Sequence, residues 1–124
     1  MENYSRRRII MDKYDLEERL IEFSTLIIQI VNEMLSTKAG NHLSGQLVRS
    51  GTSVSLNYGE AQSAESKRDF IHKMKIILKE PRETFICLKI IQRTKLYKSV
   101  GRIQKAKTEN NELISIFVKS IETA

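Results

Sequence analysis

Residues 15–35 read DLEERLIEFSTLIIQIVNEML, and this stretch decides the fold. Leu16, Leu20, Phe23, Ile27, Ile30, Val31 and Met34 recur at spacings of three or four, which sets them on one face of an α-helix. A half-buried strand would need apolar residues at every second position instead. Asp15 followed by Glu18 predicts a capping box at the helix start, each side chain satisfying a backbone N–H of the first turn. Ser36 to Gly40 predicts the end, with Gly40 in the left-handed conformation. Ile21, Ile28 and Leu35 widen the apolar face, so contact with more than one neighbour is expected.

The same period continues outward. Leu43, Leu47, Val54, Tyr58 and Ala61 predict a second helix from near Asn41. Gly51 and Gly59 within it each cost about 1 kcal/mol of helix propensity against Ala. With Gly45, Ser50, Ser53 and Ser55 they predict a helix built for close packing. Phe70, Met74, Ile77, Leu78, Phe85, Leu88 and Ile91 predict a third helix from near Ser66. Pro81, the one proline of the chain, removes a backbone hydrogen bond there, so one kinked helix is expected, the alternative being two shorter helices. Residues 94–101 predict a turn ending in Gly101. Ile103, Ala106, Leu113, Ile114, Phe117, Val118 and Ile121 then predict a fourth helix. Short connections between four helices imply an all-α, up-down-up-down four-helix bundle over residues 14–124. Residues 1–13 lack an apolar period and read as a flexible basic arm.

Composition narrows the class. A chain of 124 residues, 40% hydrophobic and 29% charged, suits one globular domain and is neither a disordered nor a membrane composition. No apolar run approaches the roughly 20 residues that span a bilayer, so no membrane partner is expected. The single Cys87 has no partner within the chain, and no N-terminal segment reads as a secretory signal, which together predict a cytoplasmic setting. The net charge is +6 and the isoelectric point about 9.6, pointing toward polyanionic partners.

Chemistry-bearing residues concentrate between Gln46 and Phe70, QLVRSGTSVSLNYGEAQSAESKRDF. Arg49, Ser53 and Asn57 are spaced by four, with Glu60 one turn further, along one edge of helix two. Two readings stand: a polar site, or a hydrogen-bond and ion-pair network fixing how helices two and three meet, within this chain or across a subunit boundary. No His, Cys or glycine-rich phosphate loop lies beside this edge, which favours the network. A two-metal bundle site needs paired Glu-x-x-His motifs and two further carboxylates. Asp69-x-x-His72 stands alone, and Glu80 and Glu83 do not complete it. No metal, cofactor or catalytic residue is assigned, and no enzyme is expected. His72 is expected at the surface and Cys87 in the core.

The same segment resembles the four-helix-bundle family that includes S23-type proteins encoded in intervening sequences of bacterial 23S ribosomal RNA. The resemblance is carried by Arg49, Ser50, Ser53, Asn57, Glu60, Ala61, Ser66, Asp69 and Phe70, with a family glutamate falling on Glu83. The run LVRSGTSVSLNYGEAQSAESKRDFIHKMKIILKE is similar to a Bacteroidetes branch. Gly59 and Pro81 depart from the pattern, standing where many relatives have better helix formers. The resemblance implies a ring-like homopentamer. It also implies kinship with the accessory protein of diversity-generating retroelements, which binds nucleic acid and a reverse transcriptase.

A second concentration is electrostatic. Lys89, Arg93, Lys95, Lys98, Arg102, Lys105 and Lys107 run without an intervening acid, and the remainder of the chain carries 14 basic against 15 acidic residues. Such a surface attracts phosphates by counterion release, and Tyr97 within it is placed to stack on a base. The opposite reading is a solvated helix end whose cations suit the helix dipole. The expectation is a homo-oligomeric scaffold whose basic surface binds RNA or DNA without sequence preference. The alternative is an adaptor that binds only protein.

Overall fold

The computed structural model describes residues 13–124. Five helical segments follow one another: α1 Lys13–Asn32, α2 Lys38–Gln62, α3 Lys67–Ile77, α4 Lys79–Thr94 and α5 Val100–Thr123. α3 and α4 make one bent rod, so the architecture is a four-helix bundle. α1 packs on α2 and α5, the rod packs on α2 and α5, and α1 lies diagonally opposite the rod. This is the closed up-down-up-down arrangement.

The apolar stripes form its core. Leu16, Leu20, Phe23, Ile27 and Ile30 of α1 meet Leu47, Val54 and Tyr58 of α2, Met74, Leu88 and Ile91 of the rod, and Ile103, Leu113 and Phe117 of α5. Tyr58 and Phe117 pack as a tilted aromatic pair, centroids 6.0 Å apart. Cys87 is buried as expected; burial pushes its thiol up to about 11, which keeps it protonated and inert.

Hydroxyl caps begin three helices. Thr37 accepts from the Gly40 N–H at 3.0 Å, Ser66 from Asp69 at 3.0 Å and Ser99 from Arg102 at 3.1 Å. Several sequence-derived boundaries are thereby corrected. Lys13 and Tyr14 are already helical, so Asp15 lies within α1 rather than at an N-cap. It ends at Asn32, and Gly40 belongs to the first turn of α2, without a positive φ. Gly40 is needed for a different reason: a Cβ there would stand 2.0 Å from the Leu35 carbonyl oxygen. Gly101 lies inside α5, and Lys95, not a glycine, takes the left-handed position after α4 with φ 58°. The arm read over residues 1–13 falls outside the described residues, apart from Lys13.

The bend in the rod has a local cause. A proline ring collides with the carbonyl four residues earlier, here that of Ile77. The helix is interrupted at Leu78, immediately after it. Leu78 keeps right-handed angles (φ −63°, ψ −17°), and its N–H still reaches the Met74 carbonyl at 3.0 Å, so the rod bends without unwinding into a loop. Asn110 of α5 donates to the Pro81 carbonyl at 2.8 Å, fastening the bend to the bundle.

Candidate nucleic-acid interface and the polar edge of helix two

The polar edge separates into parts with different work. Arg49 reaches from α2 to the rod, pairing with Glu80 at 3.1 Å and with Glu83, while Gln46 accepts a further bond at 3.1 Å. One turn deeper, Thr84 donates to Ser50 at 2.8 Å with both side chains fully buried. Ser24 and Ser55 join α1 to α2 across 2.7 Å. These contacts join α2 to α1 and to the rod. Gly51 completes the close approach: a Cβ there would meet Ile27 Cγ2 at 2.8 Å.

Other members of the edge behave differently. Asn57 is exposed and only donates to Ser53 within its own helix, at 3.0 Å. Glu60 is exposed as well, and so is Arg49. Gly59 faces open space, so close packing does not explain it. Ser53, Asn57 and Glu60 instead line a shallow groove of about 420 Å³, opposite His72, Ile76 and Glu80 of the rod. Asp69 is a capping residue. It accepts from the Glu65 N–H at 3.2 Å, which holds its carboxyl below the usual range, and it pairs with Lys73 at 3.4 Å. Ser66-x-x-Asp69 is therefore a helix-start device, and Phe70 packs against the core. No cluster of three His, Cys, Asp or Glu suited to a metal exists among the described residues.

The seven basic residues do not form one face. Lys98 and Arg102 converge on Glu33, just after α1, at 3.8 Å and 2.8 Å. Tyr97 is buried, and its hydroxyl donates to Glu33 at 2.7 Å, so it is not free to stack on a base. The Tyr97 hydrogen bond is the main reason the Glu33 carboxyl titrates below its ordinary value, with Lys98 and Arg102 adding to it. Burial, then Glu33, pushes the Tyr97 phenol up. Lys105 sits on the α1 side, in a groove of about 670 Å³ shared with Arg19, Glu22 and Glu109. There Arg19 grips Glu109 at 2.6 and 2.9 Å and Glu112 at 2.6 Å, and the bond to Glu109 is the largest cause of its raised pKa.

The remaining cations gather on the seam between α4 and α5. The Lys89 and Lys107 ammonium groups lie 5.3 and 5.9 Å from the Phe85 ring centroid, and Lys107 also donates to Gln92 at 2.8 Å. Arg93 and Lys95 extend the seam to the bundle end, both exposed and without an ion pair among the described residues. The structure adds Lys75, Lys79 and Arg82 to the outer face of the rod, equally exposed. The two acids nearest them in sequence, Glu80 and Glu83, are turned toward α2 by Arg49. Sequence spacing alone carried the signal for these three, because i, i+4, i+7 is one helix face. Glu33 carried no such signal, since it lies 64 residues from the tyrosine it meets.

The described residues thus form an all-helical bundle with polar contacts between its helices and a cationic seam on α4 and α5. Residues 12–119 match the family model described as 23S rRNA-intervening sequence protein, and the chain belongs to that family. Among solved structures it is similar to a protein of unknown function from the S23 ribosomal protein family of Bacteroides thetaiotaomicron VPI-5482. The two share 29% identity and a TM-score of 0.77, over 86% of this chain and 97% of the other. No curated protein matches the sequence. No helix among the described residues is long and apolar enough to cross a membrane.

Proposed function

We propose that the protein is a non-enzymatic scaffold that binds RNA or DNA through the seam formed by Lys89, Arg93, Lys95 and Lys107. The observation that carries this reading is the convergence of Lys89 and Lys107 on one ring, continued by Arg93 and Lys95, which have no ion pair among the described residues. Phosphates are the natural counter-charge for such a row, and binding releases condensed counterions. Lys95 supports it. A left-handed residue usually costs about 1–2 kcal/mol unless it is glycine, so a lysine held there forgoes stability and keeps a cation at the protruding turn. Contacts of this kind read charge and shape rather than base sequence. A ring of copies would repeat the seam and raise avidity without new contacts.

Reversing Arg93 and Lys95 together (Arg93→Glu, Lys95→Glu) is expected to weaken binding to single- and double-stranded RNA and DNA alike. It should also flatten the dependence of affinity on salt, by about 0.7–0.9 logarithmic units per lost contact per decade of salt. Unchanged affinity in this variant would remove the seam from the reading. Arg102 is the wrong residue for this test, because its charge is committed to Glu33 and its loss disturbs Tyr97. A protein partner is the second reading, favoured by isoleucines exposed beside the seam.

A further inference from the structure

The cleft between α2 and the rod is filled at one end and open at the other. At the filled end Arg49 reaches across and is held by Glu80 at 3.1 Å and by Glu83. The next positions along the same edge of α2 are Ser53 and Asn57, whose side chains are short, and there the groove of about 420 Å³ opens. Its floor is apolar: Ala61 and Ile77 are buried, and Ile76 is 48% exposed although it is a large apolar residue. Its rim is rich in acceptors. The Asn57 amide nitrogen donates to Ser53 at 3.0 Å, and the Asn57 carbonyl oxygen has no donor among the described residues. Glu60 is exposed and has no ion pair among the described residues. Glu80 meets Arg49 through one carboxylate oxygen. Lys73, the cation on the rim, is held by Asp69 of its own helix at 3.4 Å. The groove thus offers negative charge and open acceptors in a chain whose net charge is +6.

We infer that this groove takes an arginine side chain from an extended segment of a partner protein. An arginine has an apolar stem and a charged head, and the groove has an apolar floor and an acidic rim. The planar guanidinium carries five donors in a fixed fork, enough to meet the Asn57 carbonyl and the Glu60 carboxylate together, which a single point charge does less well. Arg49 shows the same solution inside the chain: a guanidinium laid from α2 across to the carboxylates of the rod. The incoming arginine continues that row into the open end of the cleft. The length fits as well. From Ser53 to Glu60 the helix rises about 10 Å, which is the span of about three extended residues. A phosphate would meet acceptors here rather than donors, so the groove is not an extension of the nucleic-acid seam. The inference goes beyond the nucleic-acid reading and stands without it.

The test is an amide-resolved NMR titration of the full isotope-labelled chain with the capped tripeptide acetyl-Leu-Arg-Leu-amide, without nucleic acid. Shifts are expected to concentrate at residues 53–61 and 72–80, the two walls of the groove. The same tripeptide with citrulline, a neutral side chain of nearly the same shape, should leave those amides in place. Glu60→Gln should weaken the arginine peptide about tenfold or more, the loss of one hydrogen bond to a charged group. Its spectrum should otherwise match the wild type, because Glu60 is exposed and has no ion pair among the described residues. Ser53→Arg, which sends a second guanidinium into the groove beside that of Arg49, should abolish the response. Arg93→Glu with Lys95→Glu should bind the tripeptide as the wild type does, which separates this site from the seam. No shift in the groove at millimolar peptide, an equal response to the citrulline peptide, or undiminished affinity in Glu60→Gln overturns the inference.

Discussion

Single residues decide how close the helices come. Gly51 is in van der Waals contact with its neighbour, and any side chain there collides with Ile27, a stiff β-branched residue in the core. Gly51→Ala is expected to destabilise the protein by about 1–3 kcal/mol through overpacking. Gly59→Ala meets open space and should stabilise it by up to about 1 kcal/mol, the helix-propensity difference. Urea denaturation of the two variants checks this, and the reverse order would contradict the packing described. Both glycines look alike in sequence, each sitting within the period of helix two; only the position of α1 separates them. The same holds for the polar edge. Arg49 and Ser50 are adjacent in the chain, yet one ends in a surface ion pair and the other in a buried hydroxyl pair. Exposed pairs of the first kind contribute about 0–1 kcal/mol, whereas an internal hydrogen bond such as that between Thr84 and Ser50 contributes about 0.5–1.5 kcal/mol.

At the scale of elements, the helices were legible because their apolar residues keep one period over long runs. Every stripe residue read from α1, from Leu16 to Met34, is buried or half-buried against the core. The ends were less legible, because hydroxyl caps and turns are set by which loops meet. The connection after α1 is the clearest case: the Leu35 N–H bonds to the Leu96 carbonyl at 3.0 Å, tying two loops distant in sequence. Next to that junction, Glu33 collects Tyr97, Lys98 and Arg102. Its carboxyl titrates below its unfolded value, so the stability it adds is present above the unfolded pKa and is lost as pH falls through the folded one. Glu33→Gln is therefore expected to melt at a lower temperature than the wild type near neutral pH. The difference should close in acid below the usual glutamate range, once the wild-type carboxyl is protonated as well. A gap of the same size at both pH values would show that charge is not what Glu33 supplies. The substitution also frees Lys98 and Arg102, and should tighten rather than weaken nucleic-acid binding if the bundle end takes part.

The whole molecule combines a neutral interior with a charge distribution that is uneven around its circumference. Basic residues were countable from the sequence, and their excess between Lys89 and Lys107 stands. Their division was not countable, since it depends on Glu33 and on which side of α5 each lysine leaves. Two of the seven are spent on Glu33 and a third faces the α1 groove, so the proposed surface is the seam with Phe85 at its centre. Membership of the 23S rRNA-intervening sequence protein family leaves the biochemical role open, and the seam supplies the physical case for nucleic acid. The direct measurement is a fluorescence-anisotropy titration of the wild-type chain against mixed-sequence single- and double-stranded RNA and DNA across a range of salt. Binding to all four is predicted, with affinity falling linearly on a double-logarithmic plot, by about 0.7–0.9 units per phosphate contact. No binding to any of them at low salt would contradict it, and the seam would then be ordinary solvated surface.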